Sequence, residues 1–192
     1  MSHYKYFIIH KPFNVLSQFS DKLNRKTLKE CYNFPHDVYP VGRLDMDSEG
    51  LLIITNDKVL TDQLLNPEKK VEKEYWALVE GIPDEEKLNQ LRTGVMIEGR
   101  NTLPAKVELL KDVSIQSRIP PVRFRKNITD CWLKIIINEG KYRQVRKMTA
   151  KIGHPTLRLI RVRIKNILLG DLASGKVREL TEDELKELKR QP

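Results

Sequence analysis

GRLDMDSEGLLIITND, residues 42–57, sets a loop of charges against the start of an apolar strand. Residues 51–55 are a continuous apolar run closed by Asn56-Asp57, the pattern of a buried strand followed by a turn. Ahead of it, Gly42 permits a turn and Leu44 anchors it. Arg43, Asp45, Asp47 and Glu49 crowd four ionisable groups into the approach. Polar residues perched on a rigid strand end are a frequent active-site arrangement. The same composition suits a plain charged loop capping a strand, and spacing alone does not separate the two.

Outward from this strand, the chain reads as many strands with short helices between them. Residues 4–10, 74–79, 95–97, 105–110 and 131–137 have the aromatic and β-branched content or the alternation of strands, and 157–169 is strand-rich. Short helices are predicted over 25–31 and 58–65. Another runs from the cap Asp84 to Thr93, with Gly94 as its stop. Thr181 and Glu184 form a capping box that opens a last helix. Residues 112–130 are irregular around Pro120-Pro121. With no regular strand–helix–strand rhythm, the fold class is α+β rather than a doubly wound sheet. The most informative helix is predicted over 141–152. Val145, Met148 and Ile152 recur at spacings of three and four and share a buried face, so Arg143, Arg146, Lys147 and Lys151 project away from it. Gly153 and Pro155 end it.

The chain has 192 residues, enough for one domain or two joined subdomains. No apolar run approaches the roughly 20 residues of a membrane-spanning helix. Two cysteines, Cys31 and Cys131, exclude a disulfide scaffold and a four-cysteine zinc site, and suit free thiols in a reducing cytosol. His3, His10, His36 and His154 match no metal-ligand spacing. The net charge is +9, and it is unevenly placed. Nine Lys and Arg residues lie between Lys141 and Lys165 with no acidic residue among them, and Arg118, Arg123, Arg125 and Lys126 form a second cluster. A one-sign run inside a folded segment repels itself unless a polyanion neutralises it. Nucleic acid is the expected partner, with an anionic membrane surface or a small phosphorylated ligand as alternatives. A DNA-binding module is disfavoured by the lack of a helix-turn-helix pair, zinc finger or basic-zipper heptads.

Residues 42–57 strongly resemble the signature loop of the ribosomal RNA pseudouridine synthases. NEGKYRQVRKM, residues 138–148, is similar to the family's downstream basic motif, and Lys73-Glu74-Tyr75 to the tyrosine segment between the two. Three segments in this order span essentially the whole chain. The likeness is strongest to the E type that acts on large-subunit (23S) RNA. That type lacks the N-terminal S4 RNA-binding module, and this chain opens at the catalytic region with no room for one. Residues 120–126, PPVRFRK, resemble the E-type insertion. Lys58 departs from the pattern: many relatives carry glycine there, and a left-handed backbone would strain a lysine.

The resemblance implies an enzyme that isomerises one uridine of large-subunit ribosomal RNA to pseudouridine, without cofactor or metal. The N-glycosidic bond breaks, the uracil turns, and C5 is rejoined to the ribose. The implied fold is a mixed, mostly antiparallel sheet flanked by helices. Its two subdomains would be about 1–40 with 152–192, and about 41–151, with Asp45 at the floor of the cleft between them. Asp45 matches the catalytic aspartate, which either attacks C1′ or removes a proton from the sugar. Arg146 matches its basic partner, which would hold the carboxylate ionised and fix its rotamer. Arg43 resembles the arginine that fills the gap left by the flipped nucleotide. Tyr75 matches the tyrosine that stacks on the uracil, and its hydroxyl is placed to take the C5 proton. Ile137, or Ile135, would pack on the base from another side. Arg143, Lys147, Lys151, Arg158, Arg161 and Arg163 would contact phosphates, which position RNA without reading its sequence. The 112–130 loop, with Arg123, Arg125 and Lys126, would select the target. Such an enzyme is expected to be cytoplasmic and monomeric, with no obligatory protein partner. The alternative is a non-catalytic RNA-binding or ribosome-assembly protein of the same fold, which would have no need of Asp45, Tyr75 and Arg146 together.

Overall fold

The computed structural model describes residues 4–122 and 129–190. Its chain divides into two units, Met1–Val71 with Arg161–Pro192, and Glu72–Ile160. The first unit is built on β1 (Tyr6–Lys11), β2 (Tyr39–Pro40) and β3 (Glu49–Thr55), followed by α1 (Lys58–Leu65). β1 and β3 pair antiparallel, from Tyr6 opposite Thr55 to Lys11 opposite Gly50, and β2 pairs with Thr55 and Ile54. Every residue of β3 is buried, which is what an unbroken apolar run requires. Leu52 and Ile54 of β3 join Phe7 and Ile9 of β1 in a core completed by Val15, Leu28, Phe34 and Val38 from the β1–β2 connection. Phe34 is the hub of that connection, with ring centroids 5.8 Å from Phe7, 5.4 Å from Phe19 and 4.9 Å from Tyr32. The helix predicted over 25–31 is a single 3₁₀ turn, Leu28–Glu30, where Glu30 folds back to accept the Thr27 amide at 2.9 Å.

The sequence suggested a change of subdomain near residue 40, whereas in the structure residues 41–71 stay with the first unit. The reason is long-range pairing. β3 is held by β1, and Asp57, the cap of α1, accepts hydrogen bonds from the Leu60 amide (3.0 Å) and the Tyr6 hydroxyl (2.8 Å) and pairs with Lys189 at 3.0 Å. With Asp57 as the cap, Lys58 opens a right-handed helix. The left-handed backbone that would have strained it does not arise.

The second unit contains β4 (Lys73–Glu80), α2 (Glu85–Thr93), β5 (Met96–Ile97), β6 (Arg100–Asn101), β7 (Lys106–Leu110), β8 (Asp130–Ile137) and α3 (Gln144–Lys151). Next, β9 (Thr156–Ile164) carries the chain back to the first unit, which ends with β10 (Ile167–Leu168), β11 (Val177–Glu179) and α4 (Glu182–Lys189). β8 lies between β4 and β7, antiparallel to both, and β11 pairs with β1. β4 alternates buried and half-buried residues, with Tyr75, Ala77 and Val79 turned inward. α2 is capped by the Asp84 carboxylate on the Lys87 amide (2.9 Å) and buries Leu88 and Leu91. The named strand pairs above are antiparallel, while bridges at Leu16–Thr27 and Gly81–Asp130 are parallel. This is the mixed, mostly antiparallel α+β class read from the sequence. Among the described residues, no helix is long and apolar enough to cross a membrane.

Candidate active site

In the first unit, the backbone around Asp45 is pinned on both sides. Leu44 is buried, and its amide donates to Ser17 Oγ at 3.0 Å while that hydroxyl donates to the Leu44 carbonyl at 2.9 Å. The Met46 carbonyl accepts from the Asn14 amide at 2.8 Å and from Lys11 Nζ at 3.4 Å. The Ser48 amide donates to the Asp45 carbonyl at 3.0 Å. Each such bond contributes about 1 kcal/mol net, and more is lost when a buried partner is stranded. The Asp45 residue is half-buried, and Arg43 beside it is exposed. Gly50, at φ 107°, closes the motif for a packing reason: a Cβ there would lie 2.2 Å from the Arg161 carbonyl oxygen.

Lys11 is the residue the sequence reading passed over. It is fully buried, and its ammonium donates to the carbonyls of Val15 (2.7 Å), Pro12 (2.9 Å) and Met46. Burial pulls its pKa down from 10.5 to about 8, against the opposing fields of Glu49, Asp47, Cys31 and Asp45. A lysine ahead of Pro12 reads locally as the end of a strand. Strand alternation was the available signal, since Lys11 shares a face of β1 with Phe7 and Ile9.

In the second unit, Tyr75 lies directly opposite Ile135, and Lys73 opposite Ile137. Tyr75, Ile135 and Ile137 therefore share one face of the β4–β8 pair, and all three are buried. Trp76 takes the other face, where its indole donates to Glu74 at 3.2 Å. Arg146 is half-buried on α3, with Nη1 donating to the Thr156 carbonyl at 3.2 Å. α3 begins three residues later than its apolar periodicity suggested, because Arg143 adopts a left-handed backbone (φ 53°) and the preceding residues close a turn. Glu139 organises that turn, accepting from the Leu103 amide (2.9 Å) and the Gln144 side-chain amide (2.6 Å) and pairing with Lys141 (3.0 Å). Burial pushes the Glu139 carboxyl up, but these donors outweigh it and leave it below its usual range.

The nine-cation run does not form one surface. Arg158 and Arg161 are buried in β9, donating to the carbonyls of Gln116 (3.0 Å) and Leu51 (2.8 Å). Neither offers an exposed guanidinium to a phosphate, which corrects the role expected for them. A strand buried from Arg158 to Arg161 draws its basic residues inward, where a backbone carbonyl accepts from each, while Arg161 Nη2 has no hydrogen-bond partner among the described residues. Arg163 donates to the Lys165 carbonyl at 2.7 Å. Lys165 in turn donates to the carbonyls of Leu188 (2.9 Å) and Arg190, at the C-terminal end of α4 where a cation is favoured. Exposed Lys141 and Lys151 and half-buried Arg143, Arg146 and Lys147 lie around α3, while Arg163 and Lys165 are half-buried farther along the chain. Lys147 pairs with Glu98 at 2.6 Å. Arg123, Arg125 and Lys126 lie outside the described residues. Asp45, Arg43 and Arg161 belong to the first unit, and Tyr75, Ile137 and Arg146 to the second. Among the described residues, no group of three or more His, Cys, Asp or Glu side chains could hold a metal ion.

The chain belongs to the RNA pseudouridylate synthase family, whose profile matches residues 5–151. It is therefore an isomerase that converts uridine in RNA to pseudouridine. It is 51% identical over 176 residues to the ribosomal large subunit pseudouridine synthase E of Vibrio parahaemolyticus, covering 92% of this chain and 74% of that one. It is 48% identical to the synthase of the same name from Xanthomonas axonopodis pv. citri, covering 86% and 88% of the two chains. It is 38% identical to the ribosomal large subunit pseudouridine synthase B of Bacillus subtilis, over 96% of this chain and 71% of that one. A crystal structure of a pseudouridylate synthase shares the fold with a TM-score of 0.82 at 26% identity, covering 98% of this chain and 75% of the other.

Proposed function

We propose that this enzyme isomerises one uridine of large-subunit ribosomal RNA, using Asp45 as the carboxylate that opens the N-glycosidic bond. The choice of RNA is carried by the 51% identity, across 92% of the chain, with a large-subunit synthase E. The reaction breaks N1–C1′, forms C5–C1′, loses the proton on C5 and returns one to N1. Asp45 acts at C1′ or on a sugar proton, and a backbone pinned at Leu44 and Met46 aims it without rearrangement. Arg146 is its basic partner and fixes its orientation. Tyr75 stacks on the uracil, and Ile137, on the same face of the β4–β8 pair, packs against the base with it. Arg43, exposed on the Asp45 loop, fills the gap left by the flipped nucleotide. Arg143, Lys147 and Lys151 contact phosphates, and Arg123, Arg125 and Lys126 help to choose the target. The enzyme acts in the cytoplasm as a monomer, with no obligatory protein partner.

The test is tritium release from ribosomal RNA labelled at uridine C5 and taken from cells lacking this protein. Release from large-subunit RNA, with none from small-subunit RNA, is the expected result. Equal release from both would overturn the choice of RNA. The phosphate surface has its own test. Removing Arg143 and Lys147 together (Arg143→Ala, Lys147→Ala) should flatten the salt dependence of RNA binding by about 0.7–0.9 per lost contact in the log–log slope. An unchanged slope would place the RNA backbone elsewhere.

A further inference from the structure

Tyr142 leaves 75% of its surface in water, the most of any tyrosine among the exposed large hydrophobic residues. A single exposed aromatic is ordinary, so exposure by itself says little. Its setting is not ordinary. Tyr142 stands between Lys141 and Arg143 in the turn that opens α3, and Lys147 Nζ sits 5.0 Å from its ring centroid. The backbone on either side is fixed. The Lys141 amide donates to Gln144 Oε1 at 3.0 Å, and the Gln144 amide donates back to the Lys141 carbonyl at 3.1 Å. Glu139 ties both of these residues down, through Lys141 Nζ and the Gln144 side-chain amide. The turn thus holds an aromatic ring outward, with an ammonium over it and cations on each side in sequence.

We propose that Tyr142 is a stacking residue for an unpaired nucleobase of the substrate RNA, with Lys147 and Arg143 meeting the adjoining phosphates. This rests on the RNA substrate proposed above. An aromatic ring bordered by cations matches a nucleotide in both its parts, the π face of the base and the charge of its phosphate. A protein or lipid partner would want a broader apolar area than one ring offers. Stacking does not distinguish the bases, so Tyr142 contributes affinity and position and selects for an accessible base rather than a particular one.

The experiment uses a large-subunit RNA fragment that the wild-type enzyme converts. Tyr142→Ala should raise KM and weaken binding by about 5- to 100-fold, with kcat within two-fold of wild type. Tyr142→Phe keeps the ring and should restore wild-type binding. Fragments carrying single 5-iodouridines at their unpaired positions should photocrosslink to Tyr142 in the wild-type enzyme, a readout that needs no variant to fold. Wild-type KM in Tyr142→Ala, with no crosslink to Tyr142, overturns the stacking role alone. Failure of the wild-type enzyme to convert any large-subunit fragment or assembling subunit overturns the substrate, and the stacking role with it.

Discussion

The Asp45→Asn enzyme should release no measurable tritium from C5-labelled RNA, a loss of about 10³-fold or more, while binding that RNA within a few-fold of wild type. The chemistry requires a charged oxygen at the sugar, whether it attacks C1′ or removes a proton. An amide of the same shape can do neither. The surroundings make the substitution clean. Leu44 and Met46 are held by Ser17, Asn14 and Lys11 through backbone atoms, so the loop keeps its course whatever side chain follows Leu44. Asp45 is also only half-buried, so an asparagine there keeps access to water. Single-turnover tritium release beside a binding isotherm measures both quantities on the same RNA. Turnover near the wild-type rate would remove Asp45 from the mechanism. A tenfold or greater loss of binding would make it a ground-state contact instead.

How far this site is legible in the sequence depends on how local its causes are. The strand after the Asp45 loop announces itself because a residue-by-residue apolar run has few other uses, and the structure buries all of it. The span of α1 and the cap Asp84 are equally local, since a cap and its helix lie within a few residues. The start of α3 is less so. Val145, Met148 and Ile152 are buried as their spacing indicates, but the turn ahead of them is shaped by Glu139, which reaches Leu103 far back in the chain. The fate of Arg158 and Arg161 was not legible at all. A cation in a strand is exposed or buried according to which strands flank it, and their acceptors, Gln116 and Leu51, lie 42 and 110 residues away. The same physics explains why residues 41–71 stay with the first unit: the β1–β3 register is a long-range fact.

Lys11 is the second residue whose replacement should be felt strongly, and its signature is in the pH dependence of stability. In the folded protein its ammonium gives up its proton near pH 8, and its ordinary value is 10.5. Between those two values the unfolded chain holds a proton that the folded chain has released, so the contribution of Lys11 to stability rises as pH rises through this window. The shift corresponds to a gain of about 3 kcal/mol. Below pH 8 both states are protonated, and the fold bears the full cost of a buried ammonium. Lys11→Met removes that slope. It also takes the ammonium donor from the carbonyls of Val15 and Pro12, at about 1–3 kcal/mol for each one stranded, while the Met46 carbonyl keeps the Asn14 amide. Urea unfolding of both proteins from pH 7 to 10 isolates the effect, because most other titrating groups are common to the two and cancel in the difference. Wild type should gain on the variant as pH rises, and parallel curves would show that Lys11 carries no proton linkage. Activity supplies the second readout. The Met46 carbonyl would lose one of its two donors, so the Asp45 loop should loosen and kcat should fall more than KM changes. Lys11 acts through the loop backbone; it positions the residue that meets the sugar.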